Sequence, residues 1–155
     1  MENDFKNIVS TDWLEQHLEA PDVRIIDSSW YFPQEKRNAE QEFLECHIPG
    51  ASFFDIDKIK DNDSDLPHML PPSEMFNSTV RKLGIGDGHK VVIYDGLGMR
   101  SAARLWWMFK VFGYSDVVVL DGGFPKWAKE NRSTTAEITE KEIRHLTIYE
   151  DKSIV

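Results

Sequence analysis

The sequence predicts an α/β domain built on a parallel sheet. Short β-branched runs, Val23-Arg24-Ile25-Ile26-Asp27, Val91-Val92-Ile93-Tyr94 and Val117-Val118-Val119-Leu120, alternate with stretches of helical length. The last of these runs is apolar at every position, as a strand covered on both faces must be. The chain has 155 residues, enough for one domain with a core of its own.

The elements follow in order. Ser10-Thr11-Asp12-Trp13-Leu14 opens a short helix, with a hydroxyl cap and an early acid, that runs to Leu18. Val23–Asp27 is the first strand. Asn38 to Leu44 is helical, and His47-Ile48-Pro49-Gly50-Ala51 is a turn because Pro-Gly punctuates the chain. Ser52-Phe53-Phe54 resumes a short strand, followed by a brief helix from Asp55 to Ile59. Lys60 to Pro72 is a polar loop, long enough to suggest a function. Pro72-Ser73-Glu74 opens a helix that stops at Gly84. Val91–Tyr94 is a strand, and Ser101 to Phe112 is a helix with a broad apolar face ended by Gly113. Trp106, Trp107, Met108 and Phe109 cannot all face one side of it, so some are expected to meet a second layer or domain. Val117–Leu120 is the last strand, and Asp121-Gly122-Gly123 turns into a final helix from Phe124 to Lys129. After Asn131 the texture becomes mixed and polar, which reads as a linker leading away from the domain.

Composition narrows the function. A net charge of −9 argues against nucleic acid as the main partner. No apolar run approaches the roughly 20 residues that span a bilayer. The acidic N-terminus is neither a secretory signal nor a transit peptide, so the cytoplasm is the default location. A single cysteine, Cys46, excludes an internal disulfide and a Cys-based zinc site. No cofactor or metal is expected.

The segment Tyr94-Asp95-Gly96-Leu97-Gly98-Met99-Arg100-Ser101 carries the most chemistry. A strand feeds a Gly-containing loop that opens a helix, so loop amides and a helix N-terminus converge on one point. Such a cradle suits an anion or a thiolate, yet the residue entering it is Asp95. One reading makes it a vestigial or regulatory loop. The other makes Asp95 a structural carboxylate, neutralised by the helix N-terminus and Arg100. Cys46 beside His47 is not expected to be a nucleophile, since no cradle surrounds it. His47 is expected to order the Ile48-Pro49-Gly50 turn through a backbone hydrogen bond. Arg100 and Arg104 are candidates for binding an anionic substrate, Arg104 alternatively pairing with an acid on its helix. Arg37 is a weaker candidate.

Several strings occur in an order that resembles the rhodanese-like family. They are Ile26-Asp27-Ser28-Ser29-Trp30, His47-Ile48-Pro49-Gly50-Ala51-Ser52-Phe53-Phe54-Asp55-Ile56-Asp57, Pro67-His68-Met69-Leu70-Pro71, Val91-Val92-Ile93-Tyr94-Asp95, Ser101-Ala102-Ala103-Arg104-Leu105-Trp106-Trp107-Met108-Phe109 and Leu120-Asp121-Gly122-Gly123-Phe124-Pro125-Lys126-Trp127. The match is nearest to the N-terminal domain of two-domain thiosulfate and 3-mercaptopyruvate sulfurtransferases. The resemblance implies a five-stranded parallel sheet flanked by helices on both faces. It implies a domain over residues 8–131, with 132–155 a linker toward a C-terminal catalytic rhodanese domain as partner. That second domain would carry the cysteine that accepts sulfur as a persulfide from a small anionic donor. Here Asp95, Gly96, Leu97, Gly98, Met99 and Arg100 form the equivalent loop without the cysteine, so the chain alone is expected to be inactive. The resemblance also pairs Asp57 with His68 as two members of a proton relay completed by a serine from the other domain. The competing readings are a free-standing, inactive binding module and a phosphatase-like relative. The phosphatase reading also lacks its cysteine.

Overall fold

Alternation within the strands divides the core in two. The computed structural model describes residues 7–59 and 70–147. Its strands are β1 (Ile8–Val9), β2 (Val23–Asp27), β3 (Ser52–Phe53), β4 (Lys90–Tyr94) and β5 (Val117–Leu120). They form one five-stranded sheet in the order β1-β5-β4-β2-β3, and every pairing is parallel. The helices are α1 (Thr11–Gln16), α2 (Ala39–Glu45), α3 (Ser73–Lys82), α4 (Arg100–Val111) and α5 (Gly123–Lys129). Successive side chains of a strand point to opposite faces. Ile26, Val91, Ile93, Val117 and Val119 therefore pack with Phe76, Val80, Leu105 and Phe109 of α3 and α4. Ile25, Val92, Tyr94, Val118 and Leu120 pack with Leu14, Phe43 and Trp127 of α1, α2 and α5. Both faces of β4 and β5 are covered, which explains the uninterrupted apolar runs.

The caps are those the sequence calls for. Ser10 Oγ accepts the Trp13 amide at 3.0 Å and starts α1; Asn38 Oδ1 accepts the Gln41 amide at 2.9 Å and starts α2. Within α4, Met108 and Phe109 are buried in the core, while Trp106 and Trp107 are half-buried beside it. Trp106 Nε1 donates to the Val117 carbonyl at 3.2 Å. The four bulky residues thus divide between core and helix flank within this domain.

Two expectations are corrected, and one strand was not foreseen. Asp55–Ile59 is a turn and not a helix: the Asp55 side chain accepts the amides of Asp57 (2.9 Å) and Lys58 (3.2 Å), competing with helical bonding. β1 escaped the sequence reading because two residues show no alternation; its register on β5, Ile8 against Val119, defines it. Residues 132–147 do not lead away from the domain but lie back across it. Thr135 forms an antiparallel bridge with His47. The Trp127 indole donates to the Ser133 carbonyl at 2.7 Å, and Leu146 is buried in the core. Thr147 is tied to Asp87 by two bonds of 2.9 Å.

Candidate functional site

The strand-loop-helix segment sits at the carboxyl edge of the sheet, between β4 and α4. Asp95 follows β4 directly and is 1% exposed. Its Oδ1 accepts the amides of Leu97 and Gly98, each at 2.8 Å, and its Oδ2 accepts the amide of Ala102 in the first turn of α4, also at 2.8 Å. The cradle is real, and the chain's own carboxylate fills it. The helix N-terminus does neutralise Asp95, as expected. Arg100 does not: its Nη2 donates to the Trp30 carbonyl at 2.7 Å and to Glu35 at 3.1 Å, and its guanidinium lies 4.9 Å from the Phe32 ring. Three amides satisfy the carboxylate, so the arginine is released to tie the segment after β2 to the loop.

Glycines make the loop's close approaches possible. A Cβ on Gly123 would lie 2.3 Å from the Gly98 carbonyl oxygen and 2.7 Å from that of Asp95. The loop rests on α5 at this point, where the Phe124 amide donates to the Asp95 carbonyl at 2.9 Å. Across the loop, the Tyr31 hydroxyl covers Gly96, leaving no room for a side chain there. Leu97, Met99 and Phe32 stay exposed and form an apolar rim.

The candidate arginines fall in two places. Arg100 and Arg104 line one cleft with Trp30, Phe32, Ile56 and Ser101. Burial holds the Arg104 guanidinium below its ordinary pKa, and it stacks 4.8 Å from the Trp107 ring. Asp57 is exposed on the turn that follows β3 and is not among the residues lining this cleft. His68 lies outside the described residues. Arg37 is not brought beside the other two. It forms a bidentate pair with Glu42 at 2.7 and 2.9 Å and stacks on Tyr31 at 4.0 Å, on the far side of the loop.

Cys46 is exposed at the C-terminal cap of α2. That is the negative end of a helix, the opposite of what favours a thiolate. His47 is fully buried and bonds backbone, but not the turn that follows it. Nδ1 lies 2.7 Å from the Phe43 carbonyl and Nε2 lies 2.8 Å from that of Glu137, so it joins α2 to the returning segment.

The sequence reading passed over Asp27, at the end of β2. It is 6% exposed, and burial pushes its carboxyl up to about 7, opposed by two hydrogen bonds from Ser29 and aided by the nearby charges of Asp95 and Glu42. A carboxylate following the apolar pair Ile25-Ile26 at the end of the strand was the available signal. Among the described residues no group of His, Cys, Asp and Glu is placed to hold a metal ion, and no helix is long and apolar enough to cross a membrane.

Comparison with known proteins agrees with this architecture. The family model described as the rhodanese-like domain matches residues 10–130, and the chain belongs to that family. It is 54% identical over 120 residues to the mitochondrial thiosulfate/3-mercaptopyruvate sulfurtransferase 1 of Arabidopsis thaliana, covering 77% of this chain and 32% of that protein. It is 44% identical over 133 residues to the 3-mercaptopyruvate sulfurtransferase of Rattus norvegicus, covering 82% of this chain and 45% of that protein. Among solved structures it is similar to SseA of Escherichia coli, described as a 3-mercaptopyruvate sulfotransferase. The TM-score is 0.87 at 38% identity, over 94% of this chain and 56% of that one. The chain thus spans about a third to a half of the length of these curated relatives.

Proposed function

We propose that this chain is the N-terminal, non-catalytic domain of a two-domain sulfurtransferase that draws sulfur from 3-mercaptopyruvate or thiosulfate. The observation that carries the reading is the Asp95 carboxylate bound by the Leu97, Gly98 and Ala102 amides. Sulfur transfer needs a thiolate over such amides, and here they are already taken. The nucleophile then belongs to a second domain, which fits the share of its relatives that this chain spans. There a cysteine thiolate attacks the donor's terminal sulfur and an S–S bond forms. With mercaptopyruvate the C–S bond breaks, its electron pair passes to the pyruvate enolate, and that carbon takes a proton. With thiosulfate the leaving group is sulfite.

This domain's share is the wall of the cleft. Arg100 and Arg104 supply positive charge beside the Trp30 and Phe32 rings, suited to a small anionic donor. Arg100 has a geometric price, since Glu35 and the Trp30 carbonyl already hold it. Arg104 lines the same cleft, and Arg37, paired with Glu42 on the other side of the loop, is the weakest candidate. Asp57 and His68 are assigned to a proton relay completed by a serine of the other domain, the carboxylate fixing the imidazole and the imidazole moving the proton. The exposed Leu97, Met99 and Phe32 suit contact with that domain. A free-standing module that grips an anion in the loop is disfavoured, because Asp95 occupies the seat. A cytoplasmic location belongs to the same proposal, although the plant relative's name places that protein in mitochondria.

The test is made in the full-length protein. His68→Ala is expected to lower kcat/KM for mercaptopyruvate at least tenfold more than for thiosulfate, which needs no carbon protonated. Equal effects on both donors, or none, remove His68 from the relay.

A further inference from the structure

Arg100 lines the cleft of about 210 Å³ beside Arg104, and among the described residues a single nitrogen carries all of its hydrogen bonds. Nη2 donates to the Trp30 carbonyl at 2.7 Å and to Glu35 Oε1 at 3.1 Å, which uses both of its hydrogens. A guanidinium offers an anion two edges for a two-point grip, Nε with Nη2 and Nη1 with Nη2. Nη2 belongs to both. While its hydrogens are taken, Arg100 meets an anion through one nitrogen at a time.

Glu35 does not owe its position to Arg100. It ends a one-turn 3-10 helix, Pro33–Glu35, and the same Oε1 accepts the Phe32 amide at 2.6 Å. Lys36, left-handed at φ 52°, closes that turn by donating its amide to the Pro33 carbonyl at 3.2 Å. The guanidinium is likewise fixed without Glu35. The Trp30 carbonyl holds it, and its centre lies 4.9 Å from the Phe32 ring and 5.9 Å from the Trp30 ring. Two separately anchored groups therefore meet as a pair, with side chains 39% and 27% exposed. An ion pair open to solvent is weakly held, so an arriving anion competes with it.

We propose that Glu35 is a built-in competitor for the anionic donor. Its carboxylate holds a hydrogen that a donor carboxylate needs for a two-point grip on Arg100. It thereby limits affinity for planar carboxylates more than for anions that bind at one point. Glu35 has this role only if the cleft takes the anionic donor. It acts through Arg100, since it is not among the residues that line the cleft.

The probes are pyruvate, a planar carboxylate, and bromide, a one-point anion, titrated at constant ionic strength. Binding is followed through the NMR signals of the Ser101 amide and the Arg100 Nε–H. Glu35→Ala frees one edge and is expected to tighten pyruvate at least about threefold and bromide less than about twofold. Glu35→Gln removes the charge but keeps an oxygen for Nη2, and is expected to tighten both anions alike, by less than about twofold. An ammonium has no two-nitrogen edge, so in an Arg100→Lys background, read at Ser101, Glu35→Ala is expected to bring no selective gain for pyruvate. Arg100→Lys alone is expected to change pyruvate affinity less than about twofold, because Arg100 already works at one point. A loss above about threefold there overturns the proposal even if Glu35→Ala does not fold. Equal gains for the two anions, or equal pyruvate gains in the Ala and Gln variants, reduce Glu35 to a bulk charge and overturn it. Pyruvate bound equally by parent and variants overturns the role of Glu35 and leaves the anionic cleft standing. No pyruvate shift in any of them overturns the anionic cleft, and the role of Glu35 with it.

Discussion

The Oδ2 of Asp95 accepts the amide of Ala102 at 2.8 Å, joining the end of β4 to the first turn of α4. The Oδ1 of the same carboxylate holds two further amides, so one buried side chain organises the whole loop. Asp95→Asn keeps an acceptor for Leu97 and Gly98 but sets an NH₂ group against the Ala102 N–H. Leaving that buried donor unpaired costs about 1–3 kcal/mol. Asp95→Ala orphans all three amides and is expected to cost more than Asp95→Asn. Urea denaturation of both variants checks the order; an Asp95→Ala protein as stable as the parent contradicts it.

Gly123 makes the second close approach. It has φ +60°, and a Cβ there meets two carbonyl oxygens of the loop. Gly123→Ala combines a left-handed backbone cost of about 1–2 kcal/mol with a clash against main chain that cannot move aside as a side chain would. The expected result is a loss of at least about 2 kcal/mol, read by thermal or urea unfolding, together with altered amide signals at Gly98. Gly50→Ala is the control, since a Cβ there meets nothing within 4 Å; it is expected to show only the backbone cost.

The contrast between Val117–Leu120 and Ile8–Val9 shows what the sequence could and could not tell. A run of four apolar residues announces a strand buried on both faces, and β5 lies where it was expected. Two residues announce nothing, and β1 exists only because β5 offers it a free edge. The loop was legible for the same local reason: a strand, glycines and a helix start appear in succession. The geometry of Arg100 was not, because its partners Trp30 and Glu35 lie 70 and 65 residues away. The returning segment was misread because mixed polar composition resembles a linker, while two of its anchors, His47 and Asp87, lie 90 and 60 residues from their partners.

That segment bears on stability. Leu146 is 5% exposed and packs into the α3–α4 side of the core. Leu146→Ala is expected to cost about 2–3 kcal/mol, as deletion of a buried leucine does. Chemical denaturation measures it; a change below 0.5 kcal/mol, the scatter of ordinary surface substitutions, contradicts the packing described.

Asp27 gives stability an unusual pH dependence. Its carboxyl is raised from an ordinary 3.8 to about 7 in the folded chain, chiefly by burial. Between those values the folded state holds a proton that the unfolded state has lost. Stability is therefore fully present below pH 4 as far as this group is concerned, and it falls as pH rises toward 7, by at most about 4 kcal/mol. Glu35, Glu42, Asp87 and Glu130 act in the opposite direction, since hydrogen bonds lower each of them and their contribution is lost on acidification. The difference between parent and Asp27→Asn isolates the first effect. The variant is expected to gain stability relative to the parent as pH rises from 5 to 8, and a difference independent of pH contradicts the assignment.

Whether this chain by itself can carry sulfur is measured most directly by its intact mass after incubation with mercaptopyruvate or thiosulfate. With the Asp95 carboxylate holding the amides, the mass is predicted to stay that of the unmodified polypeptide. A gain of one sulfur atom, mapped as a persulfide to Cys46, would contradict the account.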